Sequence, residues 1–170
     1  MSSSDFTYSE SSNSMTTVAI VLHILSHQVP VDKPPTTICE LFKDLRSSAN
    51  KVVHIEGFLM LSNELSGLLD TRCSDHFITD GYTWPTALTL NVDSRPQAYQ
   101  EIAALRRPRL GAVYYRVQIK GVLRMRKEYI LVNVRGRITS NGFGHLGLYP
   151  AELDVEGFRL LSGTPLDKIP

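Results

Sequence analysis

The chain has 170 residues, of which 42% are hydrophobic and 21% charged, and its formal net charge is +1. This length and composition fit one domain with a hydrophobic core. The near-neutral net charge argues against a protein that binds a polyanion through its overall charge. The charge is nevertheless unevenly placed. Residues 101–137 hold ten basic against two acidic residues, whereas residues 1–100 hold six basic against eleven acidic residues. Such separation of basic from acidic segments can steer the approach of a charged partner. Arginines on the solvent-exposed faces of long strands would give the same charge distribution.

The beginning of the chain is predicted to lie outside the main fold. Residues 1–15 are rich in serine and have no apolar period, so we expect them to be disordered. Residues 18–25 form the most apolar run, but it is short and has no Lys or Arg before it in the chain. It is therefore expected to be an extra strand or a buried helical turn, not a signal peptide or a membrane span.

Two helices are predicted from their start signals. Thr37 and Glu40 have capping-box spacing, and an apolar stripe follows at the period of a helix. The stripe consists of Ile38, Leu41, Phe42 and Leu45. Pro96 opens a second helix, which we expect to continue to about Arg106.

A five-residue sequence pattern occurs four times: an apolar residue, any residue, an apolar residue, a charged residue and a glycine. Its glycines lie at positions 57, 121, 136 and 157. Alternating β-branched residues predict strands with one buried face. A glycine inside such a strand marks a bulge or bend, which a sheet needs in order to close into a small barrel. The predicted long strands are 52–61, 87–92, 113–126, 129–138 and 152–161. A short strand is expected near 68–71 or 76–79, followed by a turn at Asp80-Gly81.

The order of elements predicts a mainly β fold: a small closed barrel of five to six strands with two accessory helices. A helix between the third and fourth strands of a five-stranded barrel is the layout of the oligonucleotide/oligosaccharide-binding (OB) fold. The chain resembles small bacterial proteins with this barrel, most of which have an uncharacterised function. The segments that carry the resemblance are residues 36–61, the helix that follows them in the chain and the two glycine-containing strand patterns at 117–123 and 132–138. The resemblance covers roughly residues 36–161 and brings no catalytic motif. We expect one OB-like domain over residues 16–161, with an irregular tail at 162–170 that contains two prolines.

Two motifs suggest chemistry that their surroundings do not support. Residues 142–147 match G-x-G-x-x-G, but Pro150 and a strand follow in place of the helix that a dinucleotide site needs. We therefore interpret this segment as a flexible loop. Cys73 and His76 lie near Asp70 and Asp75, yet no second ligand pair stands at zinc-site spacing. No metal site, cofactor or enzymatic activity is predicted.

Two cysteines, Cys39 and Cys73, are too few for a disulfide framework. We expect both to be reduced in a cytoplasmic protein.

Single-stranded nucleic acid is one candidate ligand, because OB barrels combine basic grooves with stacking aromatics. Strand alternation predicts that Arg116 and Lys120 share a stripe with Arg135 and Arg137 on the next strand. Near the third strand, Tyr82 and Trp84 are the candidate stacking residues.

A protein partner is the preferred candidate. The loop 141–147, with Phe143 and His145, and the turn at 80–85 would supply aromatic anchors, and segregated charge favours fast docking. The function predicted from the sequence is thus a non-catalytic module that binds another protein, for example an immunity protein that neutralises a toxin. Nucleic-acid binding is the alternative, and the sequence does not predict the oligomeric state.

Overall fold

A computed structural model describes residues 34–63, 65–93, 95–105, 107–134 and 136–170; for residues 134, 137 and 138 it describes the backbone only. The predictions for residues 1–15 and 18–25 lie outside these ranges.

Ten strands and two α-helices make up the described chain. The helices are α1 (Ile38–Lys43) and α2 (Pro96–Ala103), and 3-10 turns lie at Arg46–Ser48 and His145–Gly147. The strands are β1 (Thr36–Thr37), β2 (Val52–Ser62), β3 (Ser66–Leu69), β4 (Ile78–Thr79), β5 (Tyr82–Thr83), β6 (Ala87–Asn91), β7 (Ala112–Met125), β8 (Leu131–Val134), β9 (Arg137–Ser140) and β10 (Ala151–Leu160).

The main sheet closes on itself. Its strand order is β1-β2-β3-β6-β10-β7, and a further pairing of β2 with β7 shuts a barrel of five strands, with β1 as the extra strand. Within the barrel β6 and β10 are parallel, and the other neighbours are antiparallel. Helix α2 lies between the third and fourth barrel strands along the chain. These features confirm the predicted mainly β, OB-like barrel with two helices.

The barrel interior is aliphatic because alternate side chains point inward from every strand. Leu59, Leu88, Ile119 and Leu153 are completely buried there. Helix α1 packs against the same core through Ile38, whose Cγ1 would lie 2.9 Å from a Cβ placed on Gly57. Gly57 is therefore required for close contact between helix and barrel.

Of the three other glycines in this pattern, Gly157 lies at a bulge as predicted, whereas Gly121 and Gly136 have different structural roles. A Cβ on Gly121 would clash with the backbone carbonyl of Asp154 on β10, so this glycine allows two strands to approach closely. The register between β7 and β10 shifts between Val155 and Gly157, which is a bulge. Gly136 has φ +80° and lies in a turn between two strands.

The prediction of one long strand over 129–138 is therefore wrong. The chain reverses near Gly136, whose N–H donates to Asn133 Oδ1 at 2.9 Å, and β8 and β9 form a separate two-stranded sheet. A positive φ favours glycine, so Gly136 fits a turn that ends the strand. The sequence pattern had predicted a bend within a continuous strand at this position. The neighbours of β7 are β2 and β10, not β8.

The local start and turn signals are confirmed. Thr37 Oγ1 accepts from the Glu40 N–H at 3.2 Å, and Glu40 Oε2 accepts from the Thr37 N–H at 2.8 Å. Helix α2 begins at Pro96 and ends at Ala103, somewhat earlier than predicted. Asp80 and Gly81 both have positive φ and connect β4 to β5, as a tight hairpin turn requires.

The prediction that both cysteines are reduced is wrong. Cys39 in α1 and Cys73 after β3 form a disulfide across 34 residues of sequence. Spacing did not indicate this pair, because the two positions meet only when α1 packs against the barrel. Neither described helix has the length and apolarity of a membrane span.

Candidate interaction surface

Aromatic and aliphatic side chains cover the outer face of β3 and β6. These are the second and third barrel strands, the face that binds ligands in OB folds together with the loop between strands four and five. Here that loop, residues 126–150, packs its own Phe143 and Tyr149 against Leu69 and Ala87 in a small second core. Burial raises the pKa of Tyr149. The loop thus occupies the face that an oligonucleotide would use.

The aromatic residues predicted to stack bases are committed to the core. Trp84 is 0% exposed, and its indole Nε1 donates to Thr79 Oγ1 at 2.7 Å. Its ring lies 4.8 Å from that of Tyr129. Tyr82 is half-buried and meets Trp84 edge-on at 5.1 Å. The two rings contact each other, but neither presents a fully exposed face on which a base could stack.

The glycine-rich loop is closed by hydrogen bonds. Phe143 and Tyr149 exchange two backbone bonds of 2.9 and 3.1 Å, and the short 3-10 turn between them leads to β10. The loop is therefore more constrained than the flexible loop that the sequence predicted. Phe143 is only 9% exposed, with the Arg126 guanidinium 4.3 Å above its ring. His145 is exposed at the tip.

The outward basic residues of β7 are partly neutralised. Arg116 and Lys120 both face solvent, as alternation predicted. The Arg116 Nε donates to Glu56 Oε1 at 2.8 Å, and a second guanidinium nitrogen contacts the same oxygen. Hydrogen bonds from the Gln118 amide and then from Arg116 lower the pKa of Glu56. Its carboxylate therefore stays charged near neutral pH and compensates the arginine.

The four predicted basic residues do not form one stripe on adjacent strands. Arg137 lies in β9, which belongs to a different sheet from β7, and Arg135 is outside the described residues. The stripe required β7 to pair with the strand that follows it, and that pairing does not occur. Lys120 forms no ion pair within the described part of the chain.

The sulfur and carboxylate groups near β3 also have structural partners. Cys39, Asp70 and Cys73 bring their potential ligand atoms within 4.8 Å of one another, but the disulfide removes both thiolates. Asp70 is bonded to Arg72, with contacts of 2.9 and 2.7 Å, and this lowers its pKa. His76 Nδ1 lies 3.2 Å from Thr86 Oγ1.

The exposure of two apolar residues at the start of the β8–β9 hairpin was not predicted from the sequence. Ile130, which directly precedes β8, and Val132 within β8 are 60% and 47% exposed, and strand alternation places them on the same face. The alternation of β-branched residues predicted a strand here. Because this strand was expected to pair with β7, the exposure of Ile130 and Val132 was not predicted. Gly136, interpreted as a turn residue instead of a bend within a strand, was the signal that would have revealed the hairpin.

No family model and no curated protein matches the sequence.

Proposed function

We propose that this chain is a non-catalytic module that binds another protein through the loop at residues 126–150. The observation that carries the proposal is the exposure of Ile130 and Val132 on this loop, while of the two predicted stacking residues Trp84 is completely buried and Tyr82 is half-buried against it. Exposed apolar residues surrounded by polar ones are typical of protein interfaces. An immunity protein that neutralises a toxin is one form that such a module would take.

Binding without catalysis agrees with the state of two carboxylates, those of Glu56 and Asp70. Glu56 and Asp70 line a groove of about 440 Å³ beside Arg72 and Arg116. The pKa of each carboxyl is lowered by its hydrogen bonds. A general acid or base works best with a pKa near the working pH, so these two groups are suited to holding the surface together.

Single-stranded nucleic acid is the second candidate. It is favoured by the basic segment 101–137 and by Lys120, Arg126 and Lys127, which are exposed and form no ion pair among the described residues. Against it stand the covered face of β3 and β6 and the pairing of Arg116 with Glu56.

The disulfide bears on the compartment. Disulfides persist in oxidising environments and are rare where glutathione keeps thiols reduced. We therefore propose an oxidising compartment in place of the cytoplasm that the sequence predicted. Alkylation of the protein isolated from its own source, followed by mass measurement, would show two blocked sulfurs; two alkylated thiols would contradict this part of the proposal.

The binding proposal is tested by comparing two ligands. A fluorescein-labelled single-stranded oligonucleotide should bind weakly at low salt, whereas a protein complex purified from the native source and rebuilt from its identified components should persist in high salt. Val132→Asp should weaken that complex at least tenfold, and Val52→Asp, at a valine of similar exposure on β2, should not. Tight oligonucleotide binding with a steep salt dependence, reduced by Arg116→Ala together with Arg135→Ala, would establish the second candidate.

A further inference from the structure

The β8 strand has one edge without a partner in the described structure. It pairs with β9 alone. At the end of β9 the Ser140 Oγ donates to the Gly147 carbonyl, so the loop contacts β9 there, whereas no described strand pairs with the other edge of β8.

The alternation of hydrogen-bonded and non-bonded residue pairs between β8 and β9 shows which backbone groups face the open edge of β8. The Asn141 N–H donates to the Ile130 carbonyl at 3.3 Å, and the Ile130 N–H donates to the Asn141 side-chain Oδ1 at 2.8 Å, so both backbone groups of Ile130 point toward Asn141. Bonded and non-bonded pairs alternate in an antiparallel ladder, which makes Val132 and Thr139 the next bonded pair. The N–H and C=O groups of Leu131 and Asn133 consequently point away from β9 toward the open edge.

The side chains complete a surface that matches an extended peptide. Ile130 and Val132 project together from one face of the strand, while Leu131 packs toward the barrel core. Proteins usually protect such an edge with charge, proline or a covering element. An apolar edge with free backbone groups is also the surface used when a partner adds a strand to a sheet.

Charge decides between the possible occupants. Arg126 and Lys127 precede β8, Arg135 and Arg137 follow it, and Glu128 is the single acid from 126 to 137. Arg126 and Lys127 make no ion pair within the described ranges. A second copy would bring two basic edges together, and like charges across a strand pair are unfavourable. An acidic strand would gain from the same charges.

We propose that β8 is a docking edge for an extended segment of a partner protein, a β-branched run flanked by acidic residues, which adds to the β8–β9 sheet as a third strand. This inference rests on the proposed protein-binding function and specifies how that function is carried out. Leu131 and Asn133 supply the backbone bonds, Ile130 and Val132 the apolar contacts, and the exposed Arg126 and Lys127 before the strand the selectivity for an acidic segment.

The test uses the full-length oxidised chain and two labelled peptides, EDVTVTVDE and its charge-reversed counterpart KRVTVTVRK. Fluorescence anisotropy should show the acidic peptide binding at least tenfold more tightly than the basic one. Asn133→Pro removes an outward N–H and should weaken binding at least tenfold, whereas Asn133→Ala, which loses the same side-chain bond to Gly136, should change it less than twofold. Lys127→Glu, at an exposed position that does not alter the backbone, should reduce the preference for the acidic peptide.

Several results would overturn the docking edge. These are equal binding of the two peptides, equal effects of Asn133→Pro and Asn133→Ala, no binding of the acidic peptide at millimolar concentration, or self-association of the chain that Val132→Asp abolishes. A native protein complex that survives Asn133→Pro would refute the edge while leaving the proposed function intact. Salt-sensitive oligonucleotide binding without any protein complex would refute both.

Discussion

Reduction of the Cys39–Cys73 disulfide should destabilise the barrel substantially. The bond closes a loop between residues 34 positions apart. With the usual chain-entropy relation, a loop of this length corresponds to about 4 kcal/mol of free energy of unfolding. Small domains have a total of roughly 5–15 kcal/mol, so the loss would remove a large part of the stability. Because the bond holds α1 against the barrel, we expect α1 to loosen first.

Urea unfolding of the oxidised and the reduced chain measures this loss without changing any side chain. Trp84 is the one tryptophan and is completely buried, so its fluorescence reports unfolding of the core. The double variant Cys39→Ser, Cys73→Ser should resemble the reduced protein and should not respond to reductant. A difference below about 1 kcal/mol between the oxidised and reduced chains would refute the entropic argument.

Two further predictions concern the barrel wall. Gly121→Ala should cost at least about 2 kcal/mol, because the new methyl group meets the backbone carbonyl of Asp154; Gly157→Ala, whose Cβ would meet nothing nearer than Lys120 Cβ at 3.9 Å, is the control and should be much milder in the same urea assay. Equal losses would show that close approach of β7 and β10 is not what requires the glycine. The lowered pKa of Glu56 means that its charged form is favoured by folding, so its contribution is present above the unfolded-state pKa and is lost as pH falls toward the folded-state pKa. Between about pH 5 and pH 3 the wild type should therefore lose more stability than Glu56→Gln, and parallel pH profiles for the two chains would contradict stabilisation of the Glu56 carboxylate by Gln118 and Arg116.

The barrel was predictable because its signals are local. Strand β7 alternates over 14 residues, and its inward and outward residues follow directly from the period of a strand. The capping box at Thr37 and the turn at Asp80-Gly81 are likewise set by residues a few positions apart. Such features hold whichever elements pack together later.

The candidate site was less predictable because it depends on which strands become neighbours. A glycine after a charged residue is a close approach at position 121 and a reversal at position 136, and the sequence around them is nearly the same. That single ambiguity placed β8 beside β7, created a basic stripe that does not form and concealed Ile130 and Val132. The burial of Trp84 and the pairing of Cys39 with Cys73 likewise arise from contacts between distant segments.

Residue-resolved amide hydrogen exchange tests the open edge of β8 most directly. In the free full-length chain the amides of Leu131 and Asn133 should exchange rapidly, while that of Val132, bonded to β9, should exchange slowly. Addition of the acidic peptide should slow the first two amides and leave Val132 little changed. Slow exchange at Leu131 and Asn133 before the peptide is added, or no change after binding, would contradict an edge that is free to accept a partner strand.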